Sequence, residues 1–186
     1  MSNLFTGNII GYNNQYSVMK GYEKLDKIKK NILDGYIKLI EKNNEEDKEK
    51  TWLIQNCKNE ELLIILQDIT ILMLHVLDCI QKHQPVKGIT IATELNMQRG
   101  TITKISRKLV EKKLITKEYL PNNNKEIYFK TTDLGNELCN VHRMLHEEIN
   151  KNYVKFINKY SNQELIFLNK ILNDLSNTSF VNIDKI

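Results

Sequence analysis

The stretch QRGTITKISRKLVEKK, residues 98–113, decides how the chain is read. Ile102, Ile105, Leu109 and Val110 fall at helical spacing and gather on one side of an amphipathic helix from Gln98 to Lys113. The other side carries Arg99, Thr101, Thr103, Lys104, Arg107 and Lys108. Upstream, Lys87 to Leu95 sets Ile91, Ala92 and Leu95 on one face of a shorter helix, and Asn96-Met97 reads as the turn between the two. Downstream, Leu114 to Tyr119 alternates apolar and polar residues, Pro121-Asn122-Asn123-Asn124 is a turn cluster, and Glu126 to Thr132 holds Ile127, Tyr128 and Phe129. That pattern is a β-hairpin. Two short helices followed by a hairpin predict a winged helix-turn-helix, whose second helix fits a major groove and whose hairpin reaches an adjacent minor groove.

Charge tests this reading independently. Between Val86 and Lys130 there are 10 basic residues against 4 acidic ones, a net +6. The whole chain carries +4, so everything outside this module sums to −2. Positive charge is concentrated where the pattern places nucleic acid.

The rest of the chain reads as helix. From Gln15 to Lys42, Met19, Tyr22, Leu25, Ile28, Ile32, Tyr36 and Leu39 step by threes and fours, and NNEEDKEK (43–50) is either a solvated linker or the start of the next helix. Trp52 to about Cys57 is helical. Leu62 to His83 is the most apolar part of the chain, keeps helical spacing, and stops before Pro85. Helical pattern resumes at Leu134 and runs to Phe156. A last helix starts at Ser161, completes a capping box with Glu164, and packs by Leu165, Leu168, Leu172 and Leu175. The expected organisation is an N-terminal helical extension (1–50), helices of a dimerisation region and core (51–84), the winged module (85–132), C-terminal dimerisation helices (133–176) and a polar tail (177–186). The fold class is mainly α with a small β-hairpin wing.

Composition excludes several classes. Across 186 residues the longest uninterrupted aliphatic run is Leu62 to Leu66, far short of the ~20 residues that span a bilayer. No basic segment leads into an apolar one at the N-terminus, so no secretory signal is expected. Three widely spaced cysteines do not make a disulfide framework. A cytoplasmic protein with reduced thiols is the expectation. The usage of 24 Lys, 23 Asn, 3 Arg and one Ala fits AT-rich codons and a bacterial source.

The ordered set Glu94-Leu95, Gln98-Arg99-Gly100-Thr101-Ile102-Thr103-Lys104, Leu109-Val110-Glu111-Lys112-Lys113-Leu114-Ile115 and Thr131-Thr132-Asp133-Leu134-Gly135 resembles the MarR family of bacterial transcription regulators over roughly Leu62 to Leu175. The resemblance implies a homodimer with interlocked terminal helices. Each protomer would present one winged module to half of a pseudo-palindromic operator in double-stranded DNA, acting as a repressor under a small-molecule or metal effector. Gln98, Thr101 and Thr103 would reach base edges or phosphates, Arg99 and Arg107 guanine or phosphate, and Lys104 and Lys108 phosphate. Asn123, Asn124 and Lys125 would enter the minor groove. The family's wing carries Asp-X-Arg where this chain has Asn123 and Lys125, and Leu where it has Thr131. Weaker minor-groove readout is expected, because Lys is a poorer planar donor than Arg.

A sensing site is suggested by His142 and His146, at i and i+4 on the helix after the wing, a spacing that lets two imidazoles share a divalent metal. Zinc-sensing members of the family are similar here, and a loop cysteine of theirs corresponds to Cys57. Their other ligands, two Glu and a His, align to Thr51, Ile69 and Thr70; Asp68, Glu60 or Glu61 are the available substitutes. Zinc bound by His142, His146 and Cys57 is therefore one expectation, against two surface histidines beside Glu147 and Glu148. Thiol redox sensing at Cys57, next to Lys58, is another. Cys79 and Cys139 are expected in the core. His75 and Cys79, also i and i+4, lie in the aliphatic helix, where a core His is the ordinary reading. With no Gly-rich phosphate loop, paired carboxylates or metalloprotease motif, no enzyme is expected. A helical adaptor whose winged module binds protein is the competing class, and the +6 module argues against it.

Overall fold

The computed structural model describes residues 26–42, 46–120 and 123–179. The described chain divides into two units, Met1–Trp52 and Leu53–Ile186. In the first, helix α1 spans Lys27–Lys42. Asp26 caps it by accepting a 2.9 Å hydrogen bond from the Lys29 amide, and its contacts with Lys29 hold its carboxyl below the usual range. The part of the predicted helix from Gln15 to Leu25 lies outside the described residues. Helix α2 (Glu46–Asn56) begins inside the polar run, so most of that run is helix rather than linker.

In the second unit, α3 (Glu60–Asp68) and α4 (Ile71–His83) replace the single apolar segment read from Leu62 to His83. The helix breaks at Ile69-Thr70 because Thr70 caps α4, its hydroxyl accepting from the Met73 amide at 3.3 Å. Asn59 caps α3 in the same way. Helix α4 is the centre of the unit. Met73, Leu74, Val76, Leu77, Cys79 and Ile80 are all buried, and neighbours cover them from several sides. Those neighbours are α5 (Gly88–Glu94), α6 (Arg99–Glu111), β3 (Asn123–Thr131) and α7 (Asp133–Ile157).

Between α4 and α5, Val86–Lys87 forms a short strand, β1, which the hairpin reading did not contain. Two residues give no alternation from which to see it. The sheet is antiparallel in the order β1-β3-β2, with β2 at Ile115–Leu120. Phe129 on the central strand pairs with Val86 on one side and Lys117 on the other. Strand β3 starts earlier than predicted, so Asn123 and Asn124 belong to it rather than to the turn. Asn123 pairs with Leu120 across a register irregularity. Pro121 and Asn122 lie outside the described residues.

The predicted helix-turn-helix is present. Asn96 sits in the left-handed region (φ 49°), which Asn tolerates better than most residues. Helix α6 ends when Lys113 takes φ 57°, with Lys113 N bonded to Val110 O and Leu114 N to Leu109 O, a Schellman closure.

One junction then joins the module to the long helix α7. The Thr132 amide donates to the Leu114 carbonyl at 3.0 Å, and the Thr132 hydroxyl donates to Lys113 O at 2.7 Å while accepting from Gly135 N at 3.0 Å. A Cβ on Gly135 would lie 2.0 Å from that same Leu114 oxygen. Only glycine lets the first turn of α7 sit on this carbonyl. Thr131, where the family has Leu, is held by polar contacts instead. Its amide donates to Gln84 Oε1 at 2.8 Å, and its hydroxyl donates to Asn136 Oδ1 at 2.7 Å.

Helix α8 (Asn162–Asn177) has the predicted capping box at Ser161 and Glu164. It buries no residue within the chain, so its leucines do not pack as an intrachain helix would. Gly135→Ala is expected to cost about 3 kcal/mol by overpacking against backbone. Gly100→Ala, with nothing within 4 Å of the added Cβ, should be neutral or slightly stabilising. Urea unfolding midpoints of the two variants check this.

Candidate functional site

Helix α6 buries Ile102, Ile105, Ser106 and Leu109 and turns the rest of its surface outward. Gln98, Arg99, Thr103, Lys104, Arg107 and Lys108 are exposed and Thr101 is half-buried. The helix starts with no side-chain cap, since Gln98 makes no cap hydrogen bond. The Thr101 and Ile102 amides donate to Gln98 O at 3.0 and 3.2 Å, which leaves the Arg99 and Gly100 amides, with the positive end of the dipole, available to an anion. The Thr103 hydroxyl donates to Arg99 O at 2.9 Å, leaving it as an acceptor for a second partner.

Ion pairing sorts the charge of the module. All four acidic residues are engaged: Glu126 with Lys87 at 2.6 Å, Glu118 with Lys130 at 2.8 Å, Glu111 with Arg107 at 3.7 Å, and Glu94 with Lys82 and His83 at 3.2 and 3.4 Å. These contacts raise the Lys87 pKa, through Glu126 first, and lower that of Glu94, through Lys82 first. Lys112 pairs with Asp68 at 3.4 Å. Arg99, Lys104 and Lys108 on α6, with Lys113 and Lys117 beside it, carry the unbalanced charge among the described residues. A cleft of about 370 Å³ lies between α6 and the sheet, with Ile102, Ile127 and Phe129 in its wall and Arg99, Arg107 and Lys117 around it. Asn123, Asn124 and Lys125 occupy the start of β3, and their side chains lie outside the described set.

The predicted histidine pair falls in a different setting from the one read in sequence. His142 is not a surface residue but fully buried, and its Nδ1 stands 2.6 Å from Asp78 Oδ2 on α4. Its Nε2 is buried with no hydrogen-bond partner. The His146 ring lies 4.4 Å from it, centroid to centroid. His75, expected in the core, instead faces this pair, 5.5 Å from His142 and 6.0 Å from His146. One nitrogen of each of the three lies within 4.8 Å of the others.

Cys57 does not join them. It is buried, and its thiol donates to Asn59 O at 3.7 Å, a position set by the α2–α3 turn rather than by α7. The same burial removes the access a redox-sensing thiol needs. Cys79 and Cys139 are core residues as expected. Burial pushes both thiols up, helped at Cys79 by Glu94 and at Cys139 by Asp78. Sequence reading missed His75 and Asp78 as site residues. Their signal was an i, i+3 polar pair interrupting an otherwise aliphatic helix.

Similarity to known proteins agrees with this geometry. Residues 69–127 match the MarR family. The HTH-type transcriptional regulator PchR of Bacillus subtilis (strain 168) is 33% identical over 156 residues, covering 82% of this chain and 90% of the relative. Among solved structures, a zinc-responsive MarR family member, ZitR of Lactococcus lactis, superposes with TM-score 0.61 at 18% identity, over 79% of this chain and 96% of that one. Streptococcus pneumoniae FabT in complex with DNA gives TM-score 0.57 at 21% identity, over 78% and 94%.

If the unpaired cations form the binding surface, Lys104→Ala/Lys108→Ala should leave a heparin column at clearly lower salt than the wild type. Lys87→Ala/Lys130→Ala, which removes equal charge from ion-paired positions, should shift elution less. Equal shifts would place the surface elsewhere.

Proposed function

The chain belongs to the MarR family, and on that premise we propose that it is a transcription regulator that binds double-stranded DNA as a homodimer, repressing from a pseudo-palindromic operator under control of an effector. The observation that carries this reading is the sorting of charge on α6. Every acidic group of the module is paired, whereas Arg99, Lys104 and Lys108 stand unpaired among the described residues, on the exposed face of a helix of groove-reading length. Thr101, Thr103 and Gln98 on the same helix are short or neutral donors and acceptors suited to base edges or phosphates.

Dimerisation is supported by α8. Ile166 and Phe167 are 70% and 65% exposed, and Leu168, Leu172 and Leu175 are exposed beside them. On α7, Tyr153, Val154 and Phe156 are exposed as well. Large apolar side chains exposed in this number along two helices mark an interface. A second copy covers it by two-fold symmetry and sets two α6 helices about one turn of DNA apart.

Light scattering should give twice the 21.9 kDa chain mass for the wild type and a monomer for Phe167→Asp/Leu172→Asp. Fluorescence anisotropy on the chain's own upstream DNA should show nanomolar binding, a steep negative log–log salt slope and resistance to random competitor. Lys104→Ala should flatten that slope by about 2, one phosphate contact per protomer. Binding no tighter than to random DNA would overturn sequence-specific regulation.

A further inference from the structure

Helix α4 is apolar on nearly every side, yet one strip along it carries His75 and Asp78, and this strip faces α7. Asp78 Oδ2, a carboxylate oxygen that can only accept, stands 2.6 Å from His142 Nδ1, so Nδ1 carries a proton. In the neutral ring the lone pair then sits on Nε2, which is buried and has no hydrogen-bond partner among the described residues. An unsatisfied buried acceptor of this kind is costly in a folded protein and needs a reason. Its surroundings supply one. His146, one helical turn along α7, and His75, across on α4, stand beside it, and one ring nitrogen of each of the three histidines lies within 4.8 Å of the others. Both remain in contact with solvent, so a small cation has a way in and a water molecule can complete four-coordination.

We propose that His75, His142 and His146 bind a divalent transition cation of the zinc class, with Asp78 as the outer carboxylate that orients His142, and that this cation regulates DNA binding by tying α4 to α7. The donor chemistry selects the ion. Three neutral imidazoles suit zinc and its neighbours rather than calcium or magnesium, which take oxygen. A carboxylate behind a ligating histidine fixes its ring and strengthens it as a donor. The set differs from the one implied by family resemblance, because His75 supplies the donor and Cys57 takes no part. Regulation follows from connection. Helix α4 packs on α6, whose outer face is the DNA surface, while α7 runs on into the uncovered dimer surface. A bond across the α4–α7 contact therefore acts between the two. This regulatory half rests on the DNA-binding reading above.

The test uses the full-length, metal-free protein and zinc alone. Isothermal titration should give one site per chain with sub-micromolar affinity, and cobalt should give the intense visible absorption of a tetrahedral site. His75→Ala and His146→Ala, at solvent-contacting positions and with the fold checked by circular dichroism, should each weaken binding at least 100-fold. Asp78→Asn should weaken it 10- to 100-fold, and Cys57→Ser should leave it unchanged. Zinc binding that is absent, or unaffected by His75→Ala, overturns the site. Anisotropy with and without zinc then reads the coupling, expected at 5- to 150-fold in DNA affinity and lost in His75→Ala. Tight zinc binding with unchanged DNA affinity overturns the regulatory half alone. Failure of specific DNA binding in every metal state overturns the function reading and leaves the calorimetric result standing.

Discussion

A helix that is apolar on nearly all sides has to be surrounded, and α4 is that helix. Six of its thirteen residues are buried hydrophobics, each worth roughly 2 kcal/mol when removed from water. No single neighbouring face can cover them. The chain meets the requirement by wrapping α5, α6, β3 and α7 around α4, and that arrangement sets the direction of every functional element. Helix α6 gives its apolar side to this core and keeps its basic side outward. Helix α7 gives Leu138, Val141 and Leu145 and so brings His142 against Asp78.

Electrostatics divides the module into two populations of cation. Lys87 and Lys130 are held by carboxylates on neighbouring strands, and both ion pairs lie on the sheet. They brace the wing, though exposed pairs of this kind contribute little individually. Arg99, Lys104 and Lys108 form no ion pair with a carboxylate among the described residues. A net +6 therefore understates the contrast, because the neutralised part and the free part lie in different places. Longer-range attraction comes from the second group, and salt screens it over about 8–10 Å.

Small backbone devices hold the module in register with the rest. Asn96 and Lys113 adopt left-handed conformations just past the C-terminal ends of α5 and α6, and Gly135 allows α7 to start directly on the Leu114 carbonyl. The last of these explains why the Thr-x-x-Gly run after the wing accompanies the motif. Thr132 satisfies the backbone groups of Lys113 and Leu114, and glycine three residues later makes room for them. The exchange of Leu for Thr at position 131 is absorbed in the same region by Gln84 and Asn136, which offer acceptors in place of an apolar pocket.

Local periodicity was enough to determine the winged helix-turn-helix, the long helix after it, the capped last helix and the outward face of α6. Each of these follows from spacing of 3.6 or 2 residues along a contiguous stretch. The sequence also determined where charge accumulates, since composition alone gives the +6. It could not show the break at Thr70, because the apolar spacing runs on across it and a single threonine, though favoured at caps, also occurs inside helices. Nor could it show β1, whose two residues exist as a strand only through pairing with Phe129 and Tyr128. The histidine cluster was out of reach for the same reason. His142 and His146 are neighbours along one helix, but His75 and Asp78 lie 67 and 64 positions before His142 and meet it only across the α4–α7 packing. Sequence spacing reports contacts made within an element; contacts between elements depend on which faces are buried together, and the tertiary structure decided those.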